Sequence, residues 1–555
     1  MSKPVCHNCG HDLDPAQQFC MQCGAPSAQT SSAPSPTIAE VAPTSAVSPV
    51  VTRIRKRPGV SLRVVAIGII VLVVLAGAGV AVSRIGIFGG SGVDRVVLLT
   101  TKGSQVTLDL MHSDGSQKVT LVEVPDSNST SARINLYPVS NRQNKSIGVL
   151  IRTFTNPNRS GSVGAYLLAA QRRVLFWYPT DAGKVIELRS VDLEGNDSVI
   201  LARTPGSADL YLAESGDRFL LVEHYSEGAR VGVSDLRSHA TTLVDAVTDA
   251  GGVLSPDGQR LAYWTRGKDY TYTLNIADGL GANASIVAQG LQSVKANFAS
   301  DGSKLFISTT ANRNSQTQVM DANGANQVTL SHSGELVQAD VVNGRLIFTI
   351  NDSGEASLFT SSLNGEDRAE IVRAASMLVW IVTPDQRQLV VTQQRNGSNS
   401  LFITDMKRDQ VVELDRGNGM ILPEILANGR FMVWHFANTG IDGNVTISTM
   451  QRDGSDKQVI TQNINAAFSL FDITQNDLLL PYTTGSDGRL ALFTAKSTVL
   501  LDEGARNYQF ARVTPGDQVL FTAQFKSGPV TYLIGRDGKN RRLLAEDAQV
   551  IATGF

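Results

Sequence analysis

The sequence predicts a mainly β protein with a small metal-held segment at its N-terminus and one membrane-crossing helix ahead of the β region. Three observations lead there. All four cysteines lie within the first twenty-three residues. A twenty-residue uncharged apolar run follows a basic cluster. From about residue 94 onward, a unit of strands and tight turns recurs roughly every 43 residues.

The N-terminal segment is VCHNCGHDLDPAQQFCMQCG, residues 5–24, with Cys6, Cys9, Cys20 and Cys23. Each Cys-x2-Cys turn can aim two thiolates at one ion, and two such turns supply the four soft ligands of a closed tetrahedral Zn²⁺ site. Gly10 and Gly24 follow the two pairs and ease the turn around the metal. A redox role would need one such pair on a βαβ scaffold, and none is visible. His7 and His11 could replace a ligand, but four thiols in register leave them as bystanders. The two CxxCG knuckles, with Phe19 before the second, resemble the short zinc-ribbon family. Residues 1–24 are too few to fold on an apolar core, so the metal must supply the folding energy. With every ligand position filled by the chain, the single Zn²⁺ is expected to be structural, and the ribbon to dock a cytoplasmic protein partner.

Residues 25–63 form a linker. Its first part, up to Thr52, contains no Lys or Arg and one acid, Glu40, among Pro, Ser, Ala and Thr. Such a composition buries too little apolar surface to offset its ordering entropy. Arg53, Arg55, Lys56, Arg57 and Arg63 then precede VVAIGIIVLVVLAGAGVAVS, residues 64–83. As a helix that run is about 30 Å long, the thickness of a bilayer's hydrocarbon core. The five basic residues read as a headgroup anchor in contact with membrane lipid. By the positive-inside rule they place the N-terminus in the cytoplasm and the C-terminal region outside. Zinc-binding thiolates in a reducing compartment, and a large outer region without cysteine, agree with that single-pass topology.

Residues 94–555 repeat. The clearest copy is GGVLSPDGQRLAYWTRGKDYTYTLNIADGLGANASIVAQG, residues 251–290. The turn Ser255-Pro256-Asp257-Gly258 leads into a strand, a second strand ends at Asp278-Gly279, and a third follows. The same grammar returns at Asp301-Gly302 with KLFIST, Asn343-Gly344 with RLIFTI, Pro384-Asp385 with QLVVTQ, Asn428-Gly429 with RFMVWH and Gly516-Asp517 with QVLFTA. Strands of period two joined by Asp-Gly and Asn-Gly turns are hairpins. A unit of this length with about four strands is a propeller blade, which must stack on its neighbours around an axis. The S/T-P-D-G-x-x-L strand resembles the TolB-like family of WD40-like propellers. Roughly eleven periods fit the span, more than the usual four to eight blades. One large ring, two tandem propellers, or an irregular early part near residues 125–165 all remain open.

No Gly-x-Ser-x-Gly elbow, His-Glu-x-x-His or Walker loop occurs in the repeats. Their five histidines (His112, His224, His239, His332, His435) fall in different units, and the four tryptophans read as core. The Asp-Gly turns are explained by left-handed glycine rather than calcium. A net charge of −2 argues against nucleic acid, as does Lys3 being the only lysine or arginine in residues 1–24. The expectation is therefore a non-enzymatic membrane-anchored protein whose propeller binds protein or glycan. The alternative is a propeller hydrolase or lyase with its site at the axis. Two carboxylates or a His–Asp pair clustered at one channel mouth would distinguish it.

Overall fold

The computed structural model describes residues 93–553, apart from 126–132, 139–158, 162, 312–313, 408–409, 427, 438–443, 466–471, 475–476, 485–486 and 495–496. Apolar residues run without a break through the second strand of most blades, as in Phe219–Val222, Leu346–Phe348 and Leu389–Val391, which are buried on both faces, and the strands assemble into ten blades. Blade 2 spans residues 164–204, blade 3 207–247, blade 4 249–291, blade 5 293–331 and blade 6 335–375. Blade 7 spans 377–417, blade 8 421–465, blade 9 472–505 and blade 10 507–546. Blade 1 combines both ends of the region. Its inner strand is Ala548–Thr553, and Val96–Lys102, Gln105–Met111 and Val119–Pro125 lie progressively outward. The inner strand pairs antiparallel with the next, Val96 opposite Thr553 and Thr100 opposite Ala548.

The blades form one closed ring because each pair of neighbours shares an apolar cluster. Blades 1 and 2 share Val97, Leu108, Val174 and Phe176. Blades 6 and 7 share Ile347, Leu358, Trp380 and Val391. Closure comes where Val96, Leu98 and Met111 of blade 1 meet Leu520 and Leu533 of blade 10. Arg542 adds a hydrogen bond across that junction to the Asp114 carbonyl, at 2.6 Å. Trp177, Trp380 and Trp434 are fully buried in these clusters.

The recurring turn has a local cause. Ser255 Oγ donates to Asp257 Oδ1 at 2.6 Å, the Gln259 amide donates to the same oxygen at 3.0 Å, and Gly258 takes the left-handed conformation at φ 68°. In several blades a basic residue at or just before the start of the second strand reaches an acid at the end of the third strand or in the turn after it. Arg173–Asp197, Arg260–Asp278, Lys304–Asp321, Arg345–Asp367 and Arg430–Asp456 repeat that pairing at 2.6–3.1 Å. Each such surface pair contributes little alone, but the repetition fixes the same turn geometry around one face of the ring.

Blade 3 departs from the pattern. The strand Ile134–Pro138 lies parallel to its inner strand Ser207–Leu212, and Arg159–Gly161 pairs with it in turn. This insertion adds two strands on the axial side. Ile134 and Leu136 enter the core between blades 2 and 3, so Asn135 and Tyr137 take the opposite face, toward blade 4.

The expected transmembrane helix is corrected here. The described chain closes its backbone hydrogen bonds between strands, whereas a span needs a helix of about 20 residues that closes them internally. The helical structure among the described residues is one three-residue turn, Asp181–Gly183, and no helix there is long and apolar enough to cross a membrane. Residues 64–83 lie outside the described residues, as do residues 1–24 and 25–63. The single-pass localisation, with its cytoplasmic and extracytoplasmic assignments, is therefore without support among the described residues; the basic residues Arg53, Arg55, Lys56, Arg57 and Arg63, expected to anchor at membrane lipid, lie outside them.

Trp380 tests the ring directly. It belongs to the inner strand of blade 7, and its Nε1 donates to Thr349 Oγ1 of blade 6 at 3.0 Å. Trp380→Ala leaves a cavity and an orphaned hydroxyl, so urea unfolding should show a loss of about 3–5 kcal/mol. A loss below about 1 kcal/mol would mean that the two blades do not pack as described.

Candidate active site between blades 3 and 4

Two strand alternations meet at the end of the ring where the inner strands begin. In the inner strand of blade 3, Ala208, Leu210 and Leu212 pack toward blade 2. Asp209 and Tyr211 therefore face blade 4. The hairpin register sets Asp209 opposite Val222, so His224 lies one diagonal step away on the same face. His224 Nε2 stands 3.4 Å from Asp209 Oδ2, with the side chains 35% and 21% exposed. The inserted strand completes the carboxylate's surroundings. Asn135 Nδ2 donates to Asp209 Oδ1 at 2.8 Å, and Tyr137 stacks on Tyr211 with centroids 4.9 Å apart.

Blade 4 supplies the other wall. Asp249 opens its inner strand, and Tyr272 Oη donates to Asp249 Oδ2 at 2.5 Å. Arg266 lies over the Tyr272 ring at 5.5 Å and over the Tyr270 ring at 5.1 Å. The hydrogen bond to Asp209 holds His224 protonated above the ordinary histidine range, against its partial burial, and the charges of Asp209 and Asp249 add to that. Burial raises Tyr272, and the bond to Asp249 raises it further. Burial, with Asp209 nearby, raises Tyr137 and Tyr211 as well.

The other histidines are not brought together. His112 lies 3.4 Å from Asp94 in blade 1, and His239 and His332 are on the surface. His435 and Lys457 of blade 8 reach Asp415 of blade 7 at 2.8 and 2.7 Å, an inter-blade lock. No group of three or more His, Cys, Asp or Glu side chains among the described residues could hold a metal. The four cysteines lie outside them. The histidine list in the sequence contains His224, but Asp209, Asp249, Asn135 and Tyr272 were not legible there as a group. The available signal was an acid inside the apolar inner strand ADLYL, fifteen residues before a histidine on the next strand.

A zinc-ribbon domain model matches residues 5–27. That match carries zinc binding for the N-terminal segment. No curated protein matches the chain. Similar solved structures include prolyl endopeptidases at 14% identity and TM-score 0.30, covering 54% of this chain and 49% of theirs. An oligogalacturonate lyase in complex with manganese is similar at 14% identity and TM-score 0.31, covering 58% of this chain and 87% of that one. TolB from Acinetobacter baumannii is similar at 13% identity and TM-score 0.24, covering 62% and 83%. The chain spans about half the length of the prolyl endopeptidases it matches.

The expectation of a non-enzymatic module is corrected at this point. The His–Asp pair that distinguishes the enzyme alternative is present at one end of the ring, with a second carboxylate, Asp249 of blade 4, near enough to act on His224. Sequence reading missed it because the pair depends on strand register and on an insertion.

Two titrations follow. In an NMR titration, His224 should show a pKa above that of a free histidine, and Asp209→Asn should return it to or below the ordinary value. Asp415, held down to about 2 by His435 and Lys457 despite burial, has the opposite sign. Its contribution is full above the ordinary carboxylate value of 3.8 and is lost as pH falls toward 2. Asp415→Asn should therefore cost on the order of 2 kcal/mol in urea unfolding at pH 6, and much less near pH 2.5.

Proposed function

We propose that the propeller is an acid–base enzyme, a hydrolase or lyase, acting in the groove between blades 3 and 4. The observation that carries this reading is the partly exposed His224–Asp209 pair facing Asp249 across the groove. Asp209 takes Nε2, which leaves Nδ1 as the ring atom that exchanges a proton with substrate. In hydrolysis, Nδ1 gives its proton to the leaving atom as the scissile bond breaks. Asp249 takes a proton from the water whose oxygen forms the new bond. In elimination, Asp249 takes a carbon-bound proton, the double bond forms as the leaving bond breaks, and Nδ1 protonates the leaving oxygen. A raised histidine is the suitable acid at neutral pH. Tyr272 holds Asp249 in place, and Asn135 does the same for Asp209.

Cys6, Cys9, Cys20 and Cys23 would hold one structural Zn²⁺, leaving the ribbon to present a rigid surface to a protein partner. The four-thiolate set supplies folding energy and no open coordination position. Metal analysis of the peptide 1–26 should find one zinc per chain, abolished by Cys20→Ser. A zinc-free wild-type peptide would refute the site.

The catalytic reading is tested on p-nitrophenyl glycosides, p-nitrophenyl esters, peptidyl p-nitroanilides and oligogalacturonates. Turnover of at least one is expected, falling about 10²–10⁴-fold in His224→Ala. The basic limb of the pH profile should lie above the ordinary histidine value and move down in Asp209→Asn. No turnover of any probe, or unchanged turnover in His224→Ala, would contradict the proposal.

A further inference from the structure

Beside the acid–base groups stands an aromatic ring presented to solvent. Tyr270 is 67% exposed, the most exposed of the large apolar and aromatic side chains among the described residues. It sits in the loop between the second and third strands of blade 4, at φ 62°. A bulky side chain in left-handed backbone is uncommon and persists only where its surroundings fix it. Here they do. The Tyr270 amide donates to the Gly267 carbonyl at 3.0 Å, and Arg266 Nε donates to the Tyr270 carbonyl at 3.1 Å. The same guanidinium lies over the Tyr270 and Tyr272 rings at 5.1 and 5.5 Å. Tyr272 in turn bonds Asp249. A run of contacts thus ties an exposed, rigid ring to the proposed catalytic carboxylate.

The groups around this ring select among ligands that stack. Asp209, Asp249 and Asp245 accept hydrogen bonds here, and their charge is balanced by His224, by Arg230, which pairs with Asp245 at 3.3 Å, and by Arg266 over the Tyr270 ring. A charge-balanced set of acceptors and donors beside an exposed ring suits a neutral molecule rich in hydroxyl groups, each of which both donates and accepts. We infer that the groove takes a neutral oligosaccharide, with Tyr270 as the platform on which the C–H face of one sugar ring stacks. This inference rests on the acid–base reading of the same groove and names its substrate class.

Binding is measured on the full chain carrying His224→Ala, so that turnover does not interfere. Calorimetric titrations use cellohexaose, chitohexaose, maltohexaose, xylohexaose and mannohexaose, with oligogalacturonate and an unstructured hexapeptide alongside. At least one neutral hexasaccharide should bind. Tyr270→Asn suits left-handed backbone and removes the ring without straining the loop; it should weaken that binding about tenfold, and Tyr270→Trp should preserve it. Binding of none of the neutral sugars, equal binding by Tyr270→Asn, or preference for oligogalacturonate or the peptide would each overturn the inference. A failed binding experiment sinks the saccharide assignment alone. Absence of turnover in the wild-type protein sinks the catalytic reading alone.

Discussion

The pairing of Ala548–Thr553 with Val96–Lys102 is the constraint on which the rest of the ring depends. A blade cannot bury both of its faces alone, and nine blades in sequence would leave one apolar face open at each end. The last strand supplies the inner edge of the first blade, which brings Leu98 and Met111 against Leu520 and Leu533. Closure removes the exposed faces at once and makes stability a property of the circle rather than of any unit. The absence of cysteine from the repeats is consistent with this arrangement, since a closed ring needs no covalent link to hold its ends.

Regularity and function occupy different parts of this ring. The face built from Asp-Gly turns repeats the same side-chain bonds from blade to blade, with an acid capping its own turn and a basic residue reaching the next acid. The opposite end is where the repeat is broken. An insertion adds Ile134–Pro138 to one inner strand, a carboxylate, Asp209, stands within that same strand, and a bulky residue, Tyr270, takes left-handed backbone in a loop. These departures fall in one groove, between blades 3 and 4. Departures from a local rule that gather in one place, beside solvent-reachable acids, are where function is expected in a repeat protein.

Legibility in the sequence followed the range of the interactions. The strands after Ser255-Pro256-Asp257-Gly258 and its copies were legible because each is set by a turn a few residues away. Trp177, Trp380 and Trp434 were legible as core for the same reason. Blade number was not, because it depends on how the last strand meets the first, more than 440 residues apart in the chain. His224 was visible as a histidine but not as half of a pair. Its partner follows from a hairpin register, and Asn135 comes from an insertion that the periodic pattern could not place. The membrane helix was read from residues 64–83 and their basic flank, which lie outside the described residues, and no helix among the described residues is long and apolar enough to cross a membrane.

Removing the closing strand examines the account at its root. A chain ending at Asp547 keeps nine complete blades, the inserted hairpin and every residue of the groove, and loses only the inner strand of blade 1. If closure carries the stability, this truncation should lower the melting temperature by tens of degrees or abolish cooperative unfolding, and supplying residues 548–555 as a peptide should recover part of the loss. A truncated chain that melts cooperatively at the temperature of the full chain would contradict the closed ring, and with it the account of how the blades are held.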